Sequence, residues 1–435
     1  MSSTISKLNI SNDYKKITKG GFQENNCNTL EKKDEEPKIE KSNNNDIKRF
    51  LSSFFVLVHV FLFGIIIQIF SSFDQQIIKI AGLSFFTAAV FANIFCTIFK
   101  TESIFYFVLS DFLILIGNIL LLYFCGLNET FQFESIFTTN PIEIGNRLNE
   151  SKHILILIFV LMGIAIGFIM NLAPVYISIV CPPDSREFML NSIGGIGIVS
   201  GLTLGRDAIF YVSYGFTVCL ILLISLINSF YMVTYGTRQK MEGKLELSKI
   251  YDILRNGKTS ACLITLCHIA NTFSGINYTV FNVNKIYGEH SAMLFFNLLN
   301  IFAMICTFMS YKLNFQRKSL LCFSTVICVI ANVLFYLFSI KYHKFICFLF
   351  IFGFNLGLGT IPFIIIGEIF PIEVIQEGCL IATTANWIGT VFSILAFSDL
   401  GNNLFVVANI YLFIFLIYIM TFYKDTKYLK QGQYQ

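Results

Sequence analysis

The sequence predicts an all-α membrane protein with 12 transmembrane helices in two six-helix bundles. Of its 435 residues, 55% are hydrophobic and 13% are charged, whereas an average soluble domain carries about 25% charged residues. From Leu51 onward the chain is a series of apolar runs, each close to the ~20 residues that cross a bilayer as a helix. The most basic internal segment divides these runs into six and six.

The predicted spans follow the apolar runs in order. Gly, Asn or Pro interrupts several of them, and a broken membrane helix needs neighbouring helices to satisfy its freed backbone groups. We therefore expect the broken spans to line an interior cavity. The spans are 51–70, 77–99, 103–125, 153–178, 187–205, 209–233, 259–284, 291–311, 319–340, 344–367, 374–396 and 403–423.

The polar segments between the spans predict the orientation of the chain. Basic residues concentrate between spans six and seven, from Arg238 to Lys258, and between spans eight and nine, at Lys312, Arg317 and Lys318. Positive charge in short loops marks the cytoplasmic side of a membrane protein. An even number of spans separates these two loops, so the pattern predicts that both termini are cytoplasmic.

The same pattern predicts five segments. The first residues are rich in Asn, Lys, Glu and Ser and nearly free of aromatics, as is typical of disordered chain. A chain built of two six-helix halves favours a substrate site between the halves, near the midplane of the bilayer. The segments are a disordered cytoplasmic tail at 1–47, an N-terminal bundle at 48–234, a cytoplasmic linker at 235–258, a C-terminal bundle at 259–423 and a cytoplasmic tail at 424–435.

The loop 126–152 falls on the outer side in this topology. It contains two N-glycosylation sequons, which begin at Asn128 and Asn149. Such sequons are used in outward-facing loops. They predict a glycoprotein of the plasma membrane.

Several function classes lack their sequence signals. The 12 Cys residues are scattered without a C-x-x-C pair, so neither a disulfide framework nor a metal site is indicated. We find no H-E-x-x-H, no phosphate-binding Gly loop, no nucleophile–base–acid set and no basic face interleaved with aromatics. We therefore expect no enzyme activity, no cofactor, no metal and no nucleic-acid partner.

Three motifs carry a family resemblance. They are PVYIS at 174–178 followed by Arg186, SGIN at 274–277, and GTIPF at 359–363 followed by EIFP at 368–371 and NW at 386–387. In that order they resemble the P-x-Y-x-S-E…P…R-G, Q-Q-x-S-G-I-N and G-P-I-P-W…E-I-F-P…N-W motifs of the sugar porter family of the major facilitator superfamily. All three fall in the expected spans, and the resemblance covers residues 51–423.

The resemblance implies the major facilitator fold and facilitated diffusion of a monosaccharide, such as the hexose glucose, by alternating access. Proton-coupled relatives carry an Asp in helix one, whereas span one here has no carboxylate, so we expect uptake that ignores the proton gradient. Transport of a polyol or nucleoside on the same fold, and a non-transporting sugar sensor, remain alternatives. The expected partners are a sugar and the lipid bilayer, and we expect a monomer.

A pocket for sugar hydroxyls favours side-chain amides, which both donate and accept hydrogen bonds without a net charge, together with an aromatic plane. An intramembrane Asn can instead simply join two helices. The family motifs and their neighbours imply a substrate role for Asn277, Asn300, Asn271, Thr272, Phe363, Asn355, Asn386 and Trp387.

The family also has charged residues at the cytoplasmic ends of its helices. Glu368 and Arg186 match residues that form salt bridges closing the inward gate. Two departures from the family pattern lie in span five: Glu187 replaces a Gly at the cytoplasmic end, and Gly194 or Gly195 replaces a Gln that binds sugar in the pocket. We expect the missing side chain to leave room for a bulkier substrate or for water.

Two further ionisable residues lie in spans, where charges are costly and usually functional. Asp111 is near the cytoplasmic start of span three, and we expect it to be an interfacial residue. His59 lies in span one, and we expect it to be a satisfied core residue.

Overall fold

A computed structural model describes residues 38–71, 75–99, 102–126, 152–202, 204, 214–235, 247–282, 286, 298, 301–303, 305–310, 313 and 315–426. The chain divides into two compact units, Met1–Asn43 and Asn44–Gln435. The smaller unit contains the beginning of the first helix. The larger unit contains every feature discussed below.

The first half of the chain is helical throughout its described part. Its helices are α1 (Lys38–Ser71), α2 (Gln75–Ile98), α3 (Ser103–Gly126), α4 (Lys152–Val180), α5 (Pro183–Ser192), which continues as a π-helix (Ile193–Val199), and α6 (Tyr214–Tyr235). A short helix, α7 (Leu247–Asn256), follows before the second half.

Two of the predicted segments differ from these bounds. Helix α1 begins at Lys38, so residues 38–47 are helical and the expectation of disorder up to residue 47 is wrong for them. The linker predicted at 235–258 contains α7, which presents the apolar side chains of Tyr251 and Leu254 at its surface. Its apolar residues recur at helical spacing and therefore share one face of the helix. The basic residues, on which the linker was predicted, do not reveal this pattern.

The second half contains two helix pairs that share a span. They are α8 (Lys258–Phe273) with α9 (Ile276–Phe281), and α11 (His343–Leu356) with α12 (Ile361–Ile369). The other helices are α10 (Arg317–Leu337), α13 (Ile375–Leu400) and α14 (Leu404–Phe422). Both breaks contain Gly, one of the residue types that interrupt the predicted spans.

Within the described residues, nine helices are long and apolar enough to cross a membrane. Two shorter apolar helices occupy Leu223–Thr234 and Ile301–Ser310. Predicted spans five, six, seven and eight fall partly outside the described residues. The prediction of an all-α, multi-pass membrane protein is confirmed.

The outer faces of the helices are apolar, as a bilayer requires. Phe91, Phe345 and Phe413 are each at least 60% exposed on helices that cross the membrane. In water, so much exposed aromatic surface would promote association. Lipid solvates it instead, and polar side chains are buried inside the bundle.

Helix α13 connects the two halves of the chain. It packs against α2 and α4 from the first half and against α8 from the second. Asn93 of α2 donates to the hydroxyl of Thr383 at 2.6 Å, and the Cys379 thiol donates to the Asn171 carbonyl of α4 at 3.1 Å. These bonds hold the first-half helices beside the broken helices α8–α9 and α11–α12.

Candidate functional site

A cavity of about 130 Å³ lies between the two halves of the chain. A single water needs roughly 10–15 Å³ of such space, so the cavity is large enough for a small solute. Trp387 lies at the middle of α13, which places the cavity near mid-membrane. The lining residues are Phe63, Ile67, Phe86, Met170, Gly194, Ile198, Leu202, Asn271, Thr272, Ile276, Asn277, Val280, Phe354, Asn355, Gly359, Phe363, Asn386, Trp387 and Thr390.

The described lining is polar but uncharged. It combines four side-chain amides and two threonines with aromatic rings, and it contains no Asp, Glu, Lys or Arg among the described residues. A neutral solute with several hydroxyls can hydrogen-bond to such a surface without requiring a counter-charge. An ion would lose its hydration there without compensation.

The break between α11 and α12 exposes backbone groups that neighbouring helices bind. The turn Gly357–Thr360 leaves Leu358 outside the helical ladder. Asn271 of α8 donates to the Leu358 carbonyl at 2.7 Å, and the Leu358 N–H donates to Ser324 of α10 at 2.9 Å. Because each freed group is satisfied by protein, the break is stable inside the membrane.

The break between α8 and α9 occurs at Gly275, which has a φ of 106°. An L-side chain rarely adopts that backbone conformation. Asn332 of α10 donates to the freed Ser274 carbonyl at 2.9 Å. The break begins α9 beside the cavity, and Asn277 lies in the first turn of that helix, with its Nδ2 3.4 Å from the Thr272 carbonyl.

An aromatic cluster forms the wall of the cavity around Trp387. The indole lies 5.9 Å from the Phe63 ring of α1 and 5.6 Å from the Phe86 ring of α2. Its N–H is buried and has no hydrogen-bond partner among the described residues. A buried N–H without a partner is costly, so this donor suits a hydroxyl that enters the cavity.

Seven of the eight predicted substrate residues line this cavity, on five separate helices. They are Asn271, Thr272, Asn277, Asn355, Phe363, Asn386 and Trp387. Asn300 lies outside the described residues, as do the sequon residues Asn128 and Asn149. A role in binding remains a prediction for all of them, although the fold brings the seven to one place.

Some of these amides also hold the protein together. Asn271 donates to Leu358, and its carbonyl accepts from Asn386 at 3.3 Å. Asn355 donates to the Ile351 carbonyl of its own helix at 3.1 Å. A substrate would share these groups with the protein, whereas the indole N–H of Trp387 has no such competitor among the described residues.

The expectation of free space at the helix-five glycines is wrong for Gly194. A Cβ added there would lie 2.7 Å from the carbonyl oxygen of Gly359. The missing side chain therefore allows α5 and the α11–α12 break to approach each other, and the backbone of Gly359 occupies the space that a side chain would take. The π-helix starts beside this contact, and such segments often mark functional sites.

Sequence reasoning missed the first-half lining, which is mostly apolar. Phe63, Ile67 and Phe86 belong to apolar runs in which no residue type distinguishes a cavity wall from a lipid face. Only the packing of α1 and α2 against α13 selects them. Phe63 precedes Gly64, whose close contact with the Gly201 region lets α1 approach α5.

The two predicted gate residues, Glu368 and Arg186, have separate partners in the structure. Glu368 contacts Arg317 at 3.0 Å, and Arg317 also contacts Glu187 at 2.9 Å. Arg186 instead donates to the Cys181 carbonyl at 3.4 Å. The cause is geometric: Arg317, at the start of α10, is buried between α5 and the end of α12, within ion-pair distance of both carboxylates.

The residues after α14 contact the same charged group. The Thr426 hydroxyl donates to the second oxygen of Glu368, and the Tyr423 hydroxyl is 3.0 Å from that of Thr426. Asp425 accepts from the backbone N–H of Lys318 at 2.9 Å. Residues that the sequence predicts to be a cytoplasmic tail therefore contact the predicted gate residue Glu368.

The fold is that of the major facilitator superfamily. The chain superposes on a solved structure of the proton:xylose symporter XylE bound to 6-bromo-6-deoxy-D-glucose with a TM-score of 0.70, at 13% identity, covering 90% of this chain and 99% of that chain. The inward open conformation of the xylose transporter XylE from E. coli superposes with a TM-score of 0.64, at 13% identity, covering 88% and 98%.

The family model described as "Sugar (and other) transporter" matches residues 232–434. "Hexose transporter 1" of Toxoplasma gondii is 27% identical over 221 residues, which is 45% of this chain and 38% of the relative. A "Facilitated trehalose transporter Tret1-2 homolog" of Drosophila simulans is 31% identical over 29% of this chain and 30% of the relative. The match thus spans about a third of each relative's length. The family model and these relatives agree with the resemblance of the three motifs to the sugar porter family.

Proposed function

We propose that the protein carries a monosaccharide, such as the hexose glucose, across its membrane by facilitated diffusion with alternating access. The observation that carries the proposal is the uncharged, amide-rich cavity between the two halves. It lies at two helix breaks, as substrate sites of secondary transporters do. Movement of one half against the other would expose it to each side in turn.

The chemistry of the cavity supports a sugar as the cargo. Asn277 and Asn386 provide donors and acceptors for hydroxyls, and the Trp387 N–H adds a donor without a protein partner among the described residues. The rings of Phe363 and Trp387 provide flat apolar surfaces for the C–H face of a pyranose. The cargo named for the relatives, a hexose in one and trehalose in another, belongs to the same chemical class.

We further propose the topology and the closing contacts. Both termini face the cytoplasm, the loop 126–152 faces outward, and the protein resides in the plasma membrane as a monomer. The Arg317 cluster with Glu187 and Glu368 closes the cavity on the cytoplasmic side, and Arg186 supports it from the start of α5. The basic linker on that side supports this orientation.

The test is uptake of radiolabelled D-glucose into proteoliposomes containing the purified chain. We expect saturable uptake that does not change when the proton gradient is collapsed. Asn277→Ala should remove most of it, because the cavity loses an amide from the broken span. Asn402→Ala is the matched control, since that Asn is exposed at the end of α13, and it should transport normally.

Competition identifies the cargo class. Unlabelled glucose should reduce uptake, whereas sorbitol and uridine should not. Inhibition by sorbitol but not by glucose would indicate that the cargo is a polyol. Inhibition by uridine but not by glucose would indicate a nucleoside. Binding of glucose without any uptake, in folded protein, would indicate a sensor and would end the transport proposal.

A further inference from the structure

An ionisable cluster lies inside the first half of the chain, away from the cavity lining. The Nε2 atom of His59 on α1 is 3.1 Å from Oδ2 of Asp111 on α3. Ser229 of α6 donates to the same carboxylate oxygen at 2.6 Å. Asp111 is 3% exposed and is therefore buried among the helices. Ionisable residues within membrane spans are costly in free energy, and those that occur usually have a function.

The surroundings of the His59 ring can satisfy it in two protonation states. Its Nδ1 atom is 3.0 Å from the Phe55 carbonyl, which can only accept a hydrogen bond. The side-chain nitrogen of Asn228, whose N–H can donate, is 2.8 Å from the same atom and 3.2 Å from Nε2. Nδ1 is therefore partnered with a proton, through Phe55, and without one, through Asn228.

The contact with Asp111 sets the charge of each state. With protons on both nitrogens, the imidazolium pairs with the carboxylate and the cluster is neutral overall. When the Nδ1 proton leaves to water, Nε2–H still donates to Asp111, and the cluster carries one uncompensated negative charge. Ionised groups without a counter-charge are unfavourable in the membrane interior, and the packed helices offer this charge no counter-charge of their own.

Two buried acceptors complete the cluster. Oδ1 of Asp111 and Oδ1 of Asn228 have no hydrogen-bond partner among the described residues. Entry of water between α1, α3 and α6 would satisfy both oxygens and stabilise the released state. Proton release is therefore linked to an opening of these helices.

The other titratable groups on the helices packed here have partners of their own. Tyr106 of α3 donates a hydrogen bond to the Phe99 carbonyl, and the hydroxyl of Tyr176 of α4 hydrogen-bonds to that of Ser52. The Tyr231 ring of α6 stacks on the Phe55 ring, and Arg49 of α1 forms an ion pair with Asp46. The exchangeable proton is thus assigned to His59 and Asp111.

Helix α1 connects this cluster to the cavity. His59 and Phe63 are four residues apart, so they lie one above the other on one face of the helix. Phe63 lines the cavity and contacts Trp387. A rotation or shift of α1 on proton release would move the cavity wall.

We propose that the His59–Asp111 pair is a proton-binding site whose occupancy sets the rate of transport according to pH. The proton returns to the side from which it came, so no gradient is consumed. The effect on transport rests on the proposed function, whereas proton binding and its effect on the cavity wall do not.

The first experiment needs no cargo. Trp387 is the chain's one Trp, so its fluorescence reports the cavity wall directly. Its emission should change between about pH 5 and about pH 8, the range in which histidine changes charge. His59→Gln and Asp111→Asn should each abolish that change. His343→Gln is the matched control, since His343 is also buried but bonds Tyr278 in the second half, and it should respond as wild type does.

Ser229→Ala keeps the test decisive if the two main variants fail to fold. It removes a donor from the carboxylate, which destabilises the released state and should move the fluorescence change toward higher pH. An unchanged wild-type emission over this range, or a wild-type profile in folded His59→Gln or Ser229→Ala protein, would overturn the proton site.

The second experiment measures uptake at equal pH on both sides of the vesicle. Wild-type uptake should depend on that common pH, and uptake by His59→Gln should not. Uptake that responds to a pH difference but not to the common pH would overturn the regulatory role. Absence of uptake at every pH, with the fluorescence change intact, would reject the proposed cargo and leave the proton site standing.

Discussion

The guanidinium of Arg317, at the start of α10, contacts the carboxylate of Glu187 on α5 at 2.9 Å. This ion pair joins a helix of the first half of the chain to one of the second. Glu187 occupies a position where the related family has Gly, so the contact is absent from the family pattern described above. Arg317 is 1% exposed and also contacts Glu368, so burial and a second ion pair hold its side chain in position to contact Glu187.

Glu187→Gln should loosen the end of the protein where this bridge lies. Glu187 is 43% exposed, so the pair contributes about 0.2–1 kcal/mol and its loss shifts the closed–open equilibrium by up to about fivefold. The neighbouring Cys181 is buried, and burial raises the pKa of its thiol. Opening should therefore speed its alkylation, measured by peptide mass spectrometry.

Glu373→Gln is the control for this measurement, because Glu373 is exposed just after α12. It should leave the alkylation rate of Cys181 unchanged. Equal rates in Glu187→Gln and wild type would show that the bridge does not hold this end closed.

Gly194→Ala should impair folding stability and uptake together. The added methyl would lie 2.7 Å from the Gly359 carbonyl oxygen, and backbone there cannot move as a flexible side chain can. Overpacking of this kind costs about 1–3 kcal/mol. Thermal unfolding and glucose uptake report the two effects.

Gly82→Ala provides the comparison, since its methyl would meet the mobile Cδ1 of Ile394 at 3.2 Å. It should lower the unfolding temperature less. If Gly194→Ala behaved like Gly82→Ala, the close approach of α5 to the α11–α12 break would be unimportant.

Gly275→Ala should disrupt the break between α8 and α9. Its φ of 106° is strained for alanine, and the methyl would lie 2.6 Å from Oδ1 of Asn332. Backbone strain alone costs about 1–3 kcal/mol. Gly401→Ala separates the two effects, because Gly401 also has a positive φ but has nothing within 4 Å of the added atom among the described residues.

We expect Gly275→Ala to lose more stability and more uptake than Gly401→Ala, as measured by thermal unfolding and by proteoliposome assay. Similar losses in the two variants would mean that strain alone matters and that the contact with Asn332 does not.

The sequons predict a specific modification. Chain expressed in a eukaryotic cell should lose apparent mass after treatment with an N-glycosidase, and Asn128→Gln combined with Asn149→Gln should remove that shift. Gel mobility is the measurement. An unmodified wild-type chain at the cell surface would contradict the predicted outward position of the loop 126–152.

The sequence predicted the site better where residue types are distinctive than where they are not. Asn271, Asn277 and Trp387 belong to recognisable motifs, and the structure brings them to one cavity. Phe63 and Phe86 line the same cavity without any signal, because an apolar residue suits lipid, core and cavity wall equally well. The role of Arg317 was missed for another reason: its partners are far away in sequence, on α5 and α12.

The sequence by itself determined that the chain crosses a membrane and where most of its helices lie, because hydropathy, Gly and Pro act locally along the chain. The tertiary structure alone decided which groups meet. It placed Glu187 against Arg317, filled the space beside Gly194 with the backbone of Gly359, and buried Asp111 against His59. Such contacts depend on the distance and rotation of helices that are remote in sequence, and no local pattern specifies either.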